Sequence, residues 1–440
     1  MNAVVAAVLI MLVLSLARIH VVVALIVGAV SGGLIAGMSL NDTIDAFNNG
    51  LGGGAKVALS YAVLGAFAVA IGKSGLANLL AEKILAKVGR SEDHTAVKSV
   101  RFMIIAILVA IALSSQNILP IHIAFIPLVV PPLLYVMAKL KMDRRMVACA
   151  LTFGLITPYM FIPVGFGGIY LNEILMAKIS ANGGDVEGLS VMKAMALPAL
   201  GMLCGLLVAI FVTYRGERNY NLSAITRTEK VTTTYKPMTL VMALAAIVVT
   251  FVVQLWLGSM ILGALAGFLL FNLSGVVKWK EADDLFTEGM KMLAMIGFIM
   301  IAASGFAEVM RETGEITTLV QSSVDIIGAD KALAALLMLL VGLMITLGIG
   351  SSFSTIPIIA ALYVPMALEM GFSSMAIIAL VGTAGALGDA GSPASDSTLG
   401  PTAGLNADGQ HNHIWDSVVP TFLHFNLPLL GFGWVAAMVL

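Results

Sequence analysis

The sequence predicts an all-α polytopic membrane protein of two inverted repeats, each of five transmembrane helices with one re-entrant helical hairpin and one broken helix. Three observations carry this expectation. Of 440 residues, 59% are hydrophobic and only 11% charged, against roughly 25% charged in an ordinary soluble domain. Motifs of the first half recur in the second at a nearly constant offset, the signature of an internal repeat. Lys and Arg are divided unequally between alternate loops, which orients the spans.

Apolar runs at 3–17, 19–39 and 56–72 read as helices, the first short for the ~20 residues a span needs. It lacks a basic region ahead of it and has a counterpart at 237–256, so it reads as a spanning helix and not as a signal peptide. Leu76–Val88 is amphipathic and fits an interfacial helix. The apolar stretch 102–138 is interrupted by Ser114-Ser115-Gln116-Asn117 and Pro120 and is followed by a basic cluster, Lys139, Lys141, Arg144 and Arg145. Residues 146–171 read as a helix broken by Gly154, Thr157-Pro158, Pro163 and Gly165 to Gly168. A span near 192–214 closes the first half, and 215–236 is the only long polar linker. The chain therefore divides into a first repeat, 1–214, with scaffold helices in 3–39, hairpin 102–138 and broken helix 146–171. The second repeat, 237–440, has scaffold helices in 237–277, hairpin 332–370 and broken helix 374–404.

The repeat is read from four matches in the same order. Asp45–Gly50 matches Asp284–Gly289 and Phe67–Gly75 matches Phe306–Gly314, both 239 residues apart. Ser114-Ser115 with Pro120 matches Ser351-Ser352 with Pro357 at 237, and Thr157-Pro158 matches Ser392-Pro393 at 235. Charge decides whether 102–138 crosses or returns. If it returns, 18 of the 24 Lys and Arg lie on one side, with Lys56, Lys178, Lys193, Arg311 and Lys331 opposite and Lys73 near the membrane. If it crosses, that asymmetry disappears from the first half. A returning segment leaves five crossings, an odd number, so the second half is inserted upside down, the plan of many secondary transporters. Both termini are then extracytoplasmic and 215–236 cytoplasmic.

The polar residues at membrane depth are the candidate site, because unwound backbone is tolerated there only when protein or trapped water satisfies it. Two hairpin tips, 114–117 and 350–355, are expected to meet two breaks, 154–168 and 388–404. The expected solute ligands at the tips are Ser114, Ser115, Gln116, Asn117, Ser351, Ser352, Ser354 and Thr355. Those in the breaks are Thr157, Gly167, Ser392 and Ser395. Hydroxyls and amides are hard oxygen ligands suited to Na+, expected at Asn117, Thr355, Asp389, Asp396, Ser397 and Thr398. Any single Ser or Thr could instead cap a half-helix, and the alternative for the two carboxylates is that one of them, Asp396 before Asp389, caps the second half-helix. Asn172 and Glu173 close the first break. His122, alone in an apolar helix, reads as a core residue; Lys73 and Glu312 snorkel at helix ends. His411 and His413, in the polar loop 406–416, are a weak metal pair, and Cys149 and Cys204 read as small apolar residues. No Gly-Lys-Ser/Thr phosphate loop, redox motif or basic stripe is present, so no enzyme activity, ATP use, organic cofactor or nucleic-acid partner is expected.

The runs Gly348 to Pro357, Gly388 to Pro401 and Asp408 to Asp416 resemble the sodium/proton antiporter family that includes NhaC-type proteins. Ser115 to Pro127 and Tyr159 to Gly168 resemble its branch named for bacterial amino-acid (histidine-type) transporters. The resemblance implies membership of the ion-transporter superfamily, whose divalent-anion symporters are dimeric elevators with Ser-Asn-Thr tips in their hairpins. Those tips fall here on Ser115, Gln116 and Asn117 and on Ser352 to Thr355; neither reads Ser-Asn-Thr, so dicarboxylate specificity does not transfer. The expectation is a Na+- and/or H+-coupled secondary transporter of the bacterial inner membrane, homodimeric, carrying an amino acid or small carboxylate by an elevator movement. The alternatives are a Na+/H+ antiporter without organic substrate, and a channel or membrane scaffold.

Overall fold

Membrane-depth apolar runs form helices because no other structure pairs every backbone group within one segment. The computed structural model describes residues 2–17, 19–74, 94–117, 126–127, 129–164, 166–228, 237–315, 318, 330–350 and 352–440. Leu76–Val88, Pro120, His122, Gly165 and Ser351 lie outside the described residues, as do the side chains of Lys73, Asn117 and Ser354.

Among the described residues the elements are helical. They run α1 (Ala3–Leu16), α2 (Val21–Ile35), α3 (Leu40–Lys73), α4 (His94–Asn117), α5 (Arg144–Phe161), α6 (Phe166–Ala181) and α7 (Val191–Thr213). After the linker come α8 (Pro237–Leu257), α9 (Met260–Leu273), α10 (Trp279–Glu312), α11 (Lys331–Ile349), α12 (Ser352–Glu369), α13 (Ser374–Ala386), α14 (Asp396–Leu405) and α15 (His413–Val439). By length and composition Ser99–Gln116, Val191–Thr213, Lys331–Gly348 and His413–Val439 can each cross a bilayer, and α5 with α6, bent by 51°, forms a further broken span. Several others, α1, α2, α9 and α13 among them, are apolar but shorter. Along α8 an outward stripe of Met238, Val241, Leu244, Val248, Val252 and Trp256 is exposed, up to 81% at Trp256. Such a face suits hydrocarbon. The protein is a multi-pass membrane protein.

The centre of the fold is the antiparallel pair α3 and α10. Both are 34 residues long, and their limits, 40–73 and 279–312, are 239 apart, the offset read from the sequence. Glycines let the two backbones touch, because a Cβ there would meet main-chain atoms. Gly50 lies against Ser304 and Gly289 against Gly65; an added Cβ would come within 2.5 Å and 2.1 Å of backbone atoms, respectively. Residues 50 and 289 are 239 apart, as are 65 and 304, so the two contacts pair positions at the same offset. Between them Gly297 faces Ala58, itself 239 residues away, and a Cβ added at Gly297 would lie 3.1 Å from Ala58 Cβ. The flanking helices follow suit: Gly28 of α2 receives the ring of Phe306 of α10, and the equivalent Gly267 of α9 receives Phe67 of α3.

The two stretches read as hairpins each begin and end at one place. Lys331, opening α11, donates to the Gly371 carbonyl just past α12 at 2.6 Å, and Tyr363 Oη donates to Met338 O at 2.8 Å half-way along the legs. Gly350, left-handed at φ 72°, makes the turn. In the first half Arg101 and Lys141 both reach the exposed Glu217, at 3.0 and 3.2 Å. These two cations, with burial opposing only weakly, hold the Glu217 carboxyl below its ordinary value.

One expectation is corrected. Gly154 and Thr157-Pro158 do not break the first helix: α5 runs unbroken to Phe161, with the bend at 162–165. Gly154 instead admits α4, since a Cβ there would lie 2.6 Å from Ala112 Cβ. The basic cluster 139–145 is partly buried. Arg144 is 0% exposed, bound to both carboxylate oxygens of Asp408 at 2.6 Å and stacked under Tyr220.

Candidate functional site

The second break is where the polar residues converge. Helix α13 starts at the Ser373 cap and stops at Ala386; residues 387–395 are unwound, and α14 begins at Asp396. Gly388 (φ 87°) and Gly391 (φ 105°) adopt backbone that side-chain-bearing residues rarely reach. At Gly391 a Cβ would also lie 2.6 Å from Phe422 Cα. The freed backbone is met by Asn426, wholly buried on α15, whose Oδ1 accepts from Gly388 N at 3.1 Å and whose Nδ2 donates to Ala390 O.

Asp389 is 7% exposed and is the centre of a hydroxyl cluster. Ser395 Oγ donates to Oδ1, while Tyr159 Oη (2.5 Å) and Ser397 Oγ (3.3 Å) donate to Oδ2. Ser352, at the start of α12, lies 2.9 Å from Tyr159 Oη. The break, the second hairpin and α5 thus meet at one carboxylate. Among the described residues no Lys, Arg or His pairs with it. A helix rises about 1.5 Å per residue, which puts Tyr159 about 22 Å from the Arg144 end of α5 and Asp389 about 20 Å from the far end of α13. The centre is mid-way between the two ends of the bundle.

Other candidates fall into four groups. Among the described residues, Gln116 Oε1, Thr157 Oγ1 and Asp396 Oδ1 are buried with no hydrogen-bond partner, so they are acceptors available to a ligand. Thr355 is 0% exposed and Gly167 is buried. Others are engaged in holding the fold. Ser115 Oγ donates to Ala112 O, Thr398 Oγ1 donates to Ser392 O and Ser395 O, and Ser392 Oγ accepts from Ala394 N. Ser114 is half-buried, and Asn172 and Glu173 are exposed. The alternative reading of Asp396 as a cap does not hold: Ser395 caps α14, accepting from Ser397 N, and Asp396 stands in the first turn. Among the described residues no cluster of His, Cys, Asp and Glu fits a transition metal.

Tyr159, Asn426, Thr402 and Ser417 have ordinary local contexts, and no sequence signal marks them. The segment 406–416 reads as a polar loop. His411 and His413 are instead 2% and 6% exposed. Their only sequence signal is Asn412, which caps α15 at Trp415 N and so marks where the buried helix restarts.

The profile of the Na+/H+ antiporter family matches residues 150–434, and a second Na+-H+ antiporter family profile matches residues 2–88. An uncharacterised membrane protein of Vibrio parahaemolyticus is 59% identical over 100% of both chains. One from Haemophilus influenzae is 53% identical over 100% of this chain and 99% of the other. YuiF of Bacillus subtilis, provisionally named an amino acid transporter, is 49% identical over 100% of both. Among solved structures, MtrF of Neisseria gonorrhoeae aligns over 91% of this chain and 85% of its own with TM-score 0.38 and 16% identity. The YdaH transporter of Alcanivorax borkumensis aligns over 90% and 88% with TM-score 0.39 and 14% identity. Overlaps of that quality carry no argument about topology. With a profile over more than half its length and relatives about half identical from end to end, the chain belongs to the Na+/H+ antiporter family.

Proposed function

We propose that the protein is a Na+- and/or H+-coupled secondary transporter of a small organic solute, an amino acid or similar small carboxylate. The observation that carries this reading is Asp389, a buried carboxylate surrounded by hydroxyl donors and lacking a basic partner among the described residues. A buried charge left so is costly, so the site calls for a cation or a proton. Na+ is the coupling ion proposed, held near Asp389 and Asp396 by Ser397, Thr355, Asn117 and the Thr398 backbone. The orphaned Gln116 and Thr157 oxygens, with Ser352 at the hairpin tip, face the solute. The N-terminal ends of α12 and α14 favour the carboxylate of an amino acid. The provisional name of YuiF points to the same substrate class.

The exchanged contacts of α3 with α10 support an inverted repeat whose two-fold axis passes near Ala58 and Gly297. In the proposed mechanism α4–α6 and α11–α14 move as one transport unit, in elevator fashion, against a scaffold built from 3–39 and 237–277, which also makes the homodimer contact. The protein is taken to lie in the bacterial inner membrane with both termini extracytoplasmic.

The test is a thermal-shift comparison of Na+ with K+, followed by an amino-acid and carboxylate screen in Na+. A ligand at a hundred times its Kd stabilises by about 2.7 kcal/mol. Na+ is expected to raise the melting temperature of the wild type and to leave Asp389→Asn unmoved; an equal Na+ response in both overturns the assignment. A second reading, Na+/H+ exchange without organic solute, is favoured by the family profile itself. It predicts full Na+-driven proton flux in vesicles free of any organic solute, and flux that Asp389→Asn abolishes.

A further inference from the structure

A second polar system lies beneath the break, on the side of the bundle that holds the α1–α2 turn and the linker. A cavity of about 540 Å³ opens between that turn (Ser15, His20), Ile299 of α10 and the 406–416 segment. His411 lines it. Its Nδ1 is buried without a hydrogen-bond partner among the described residues, as is Ser15 Oγ. From His411 a continuous chain leads inward: Nε2 lies 2.8 Å from Ser417 Oγ, Ser417 Oγ 2.8 Å from Thr402 Oγ1, and Thr402 Oγ1 2.8 Å from His413 Nδ1. His413 Nε2 ends it, 2.8 Å from Pro393 O in the middle of the break.

Donor accounting shows what this chain can do. The Pro393 carbonyl only accepts, so His413 Nε2 carries a hydrogen and Nδ1 is the nitrogen free to change. Thr402 has one hydroxyl hydrogen and two other acceptors in reach, Thr398 O and Ser417 Oγ, both at 2.8 Å. It can donate to His413 Nδ1 when that ring is neutral, and turn away to accept when the ring is charged, leaving no group unpaired in either state.

We propose that His411, Ser417, Thr402 and His413 form a proton path from the cavity to a proton-binding site at His413, distinct from the carboxylate centre assigned to Na+. A proton from water in the cavity adds to His411 Nδ1. The Nε2 hydrogen of His411 passes to Ser417, that of Ser417 to Thr402 and that of Thr402 to His413 Nδ1. One proton leaves the cavity, one charge appears on His413, and His411 ends neutral with its hydrogen on the other nitrogen. Burial holds His411 far below its ordinary value, at about 3, with Asp416 opposing, so the resting ring is neutral and able to relay. The charges facing it are already paired: Asp416 with Arg218, Arg144 with Asp408, and Asp143 with Arg145. His20 stands across the cavity.

A positive His413 under Pro393 repels a cation at Asp389 on the same unwound segment, so proton and Na+ binding oppose each other from separate sites. This rests on the reading of Asp389 as the Na+ centre. The experiment uses the full-length protein in vesicles loaded with a pH-sensitive dye and given a Na+ gradient, alongside Na+-dependent thermal shift. Thr402→Val, which keeps the shape and removes the hydroxyl, should lower Na+-driven proton movement at least tenfold with the Na+ thermal shift intact. Thr402→Ser should restore it, and His413→Gln should flatten its pH profile. Unchanged proton flux in Thr402→Val overturns the path. Loss of the Na+ shift together with the flux overturns it too, by revealing a purely structural role. A wild type that shows the Na+ shift but moves no proton refutes the path alone, whereas a wild type without the Na+ shift refutes the Na+ centre and the exchange built on it.

Discussion

Replacing Asn426 by Ala tests whether the break at 387–395 depends on a side chain 38 residues away. The amide satisfies two main-chain groups, Gly388 N–H and Ala390 O, and both those residues and Asn426 are buried. An unsatisfied buried polar group costs about 1–3 kcal/mol, so losing both partners costs about 2–6 kcal/mol. At about 2.1 cal/mol/K of unfolding entropy per residue, a chain of 440 residues unfolding as one unit loses about 1 °C per kcal/mol, so the melting temperature should fall by about 2–6 °C. The assay is thermal unfolding of purified protein in detergent with and without Na+. Because the same peptide groups orient Asp389, the Na+-induced shift should shrink with the stability. Asn426→Asp retains an acceptor for Gly388 N–H but buries a charge with an oxygen toward Ala390 O, so it should be at least as destabilised as Asn426→Ala. A melting temperature within 1 °C of wild type with an intact Na+ shift would refute the claim that the amide holds the break.

Two further outcomes follow from packing and charge. Gly289→Ala and Gly50→Ala should each destabilise by about 1–3 kcal/mol or more in the same melts, because the new methyl meets backbone across α3 and α10; Gly52→Ala, with nothing within 4 Å, should not, and equal behaviour of all three would contradict the close crossing. Asp408→Asn should cost about 3–5 kcal/mol by leaving the Arg144 charge buried and unpaired, and Arg144→Met with Asp408→Leu should recover most of it. Burial pushes the Asp408 carboxyl up, but the Arg144 hydrogen bonds and charge outweigh it and hold the group below its ordinary value. Its contribution to stability is therefore complete above about pH 3.9 and lost as pH falls through the depressed value, so wild-type melts should show an acid-side loss that the double variant lacks.

The parts of the fold legible in the sequence are those written in local composition. The limits of α3 and α10 follow the offset that Asp45–Gly50 and Phe67–Gly75 announce, since each motif marks the same turn of the same helix. The second break was legible because Gly388 and Gly391 are needed where φ is positive. The first was misplaced, since Gly154 and Pro158 are helix breakers by propensity yet lie within α5, where Gly154 admits α4. Propensity alone does not distinguish a glycine that ends a helix from one that admits a neighbour.

By itself the sequence determined the membrane class, the matching limits of two long helices 239 residues apart, and the position of one carboxylate in an unwound apolar segment, because hydropathy, offset and helix breakers act over short stretches. Only the tertiary structure decided which groups complete the site. Tyr159 reaches Asp389 across 230 residues, Asn426 braces the break, Arg144 is buried on Asp408 across 264 residues, and two histidines of a polar loop turn inward onto Thr402 and Ser417. Each of these partners satisfies a polar group that burial has removed from water, and burial is a property of the packed helices that no local spacing records.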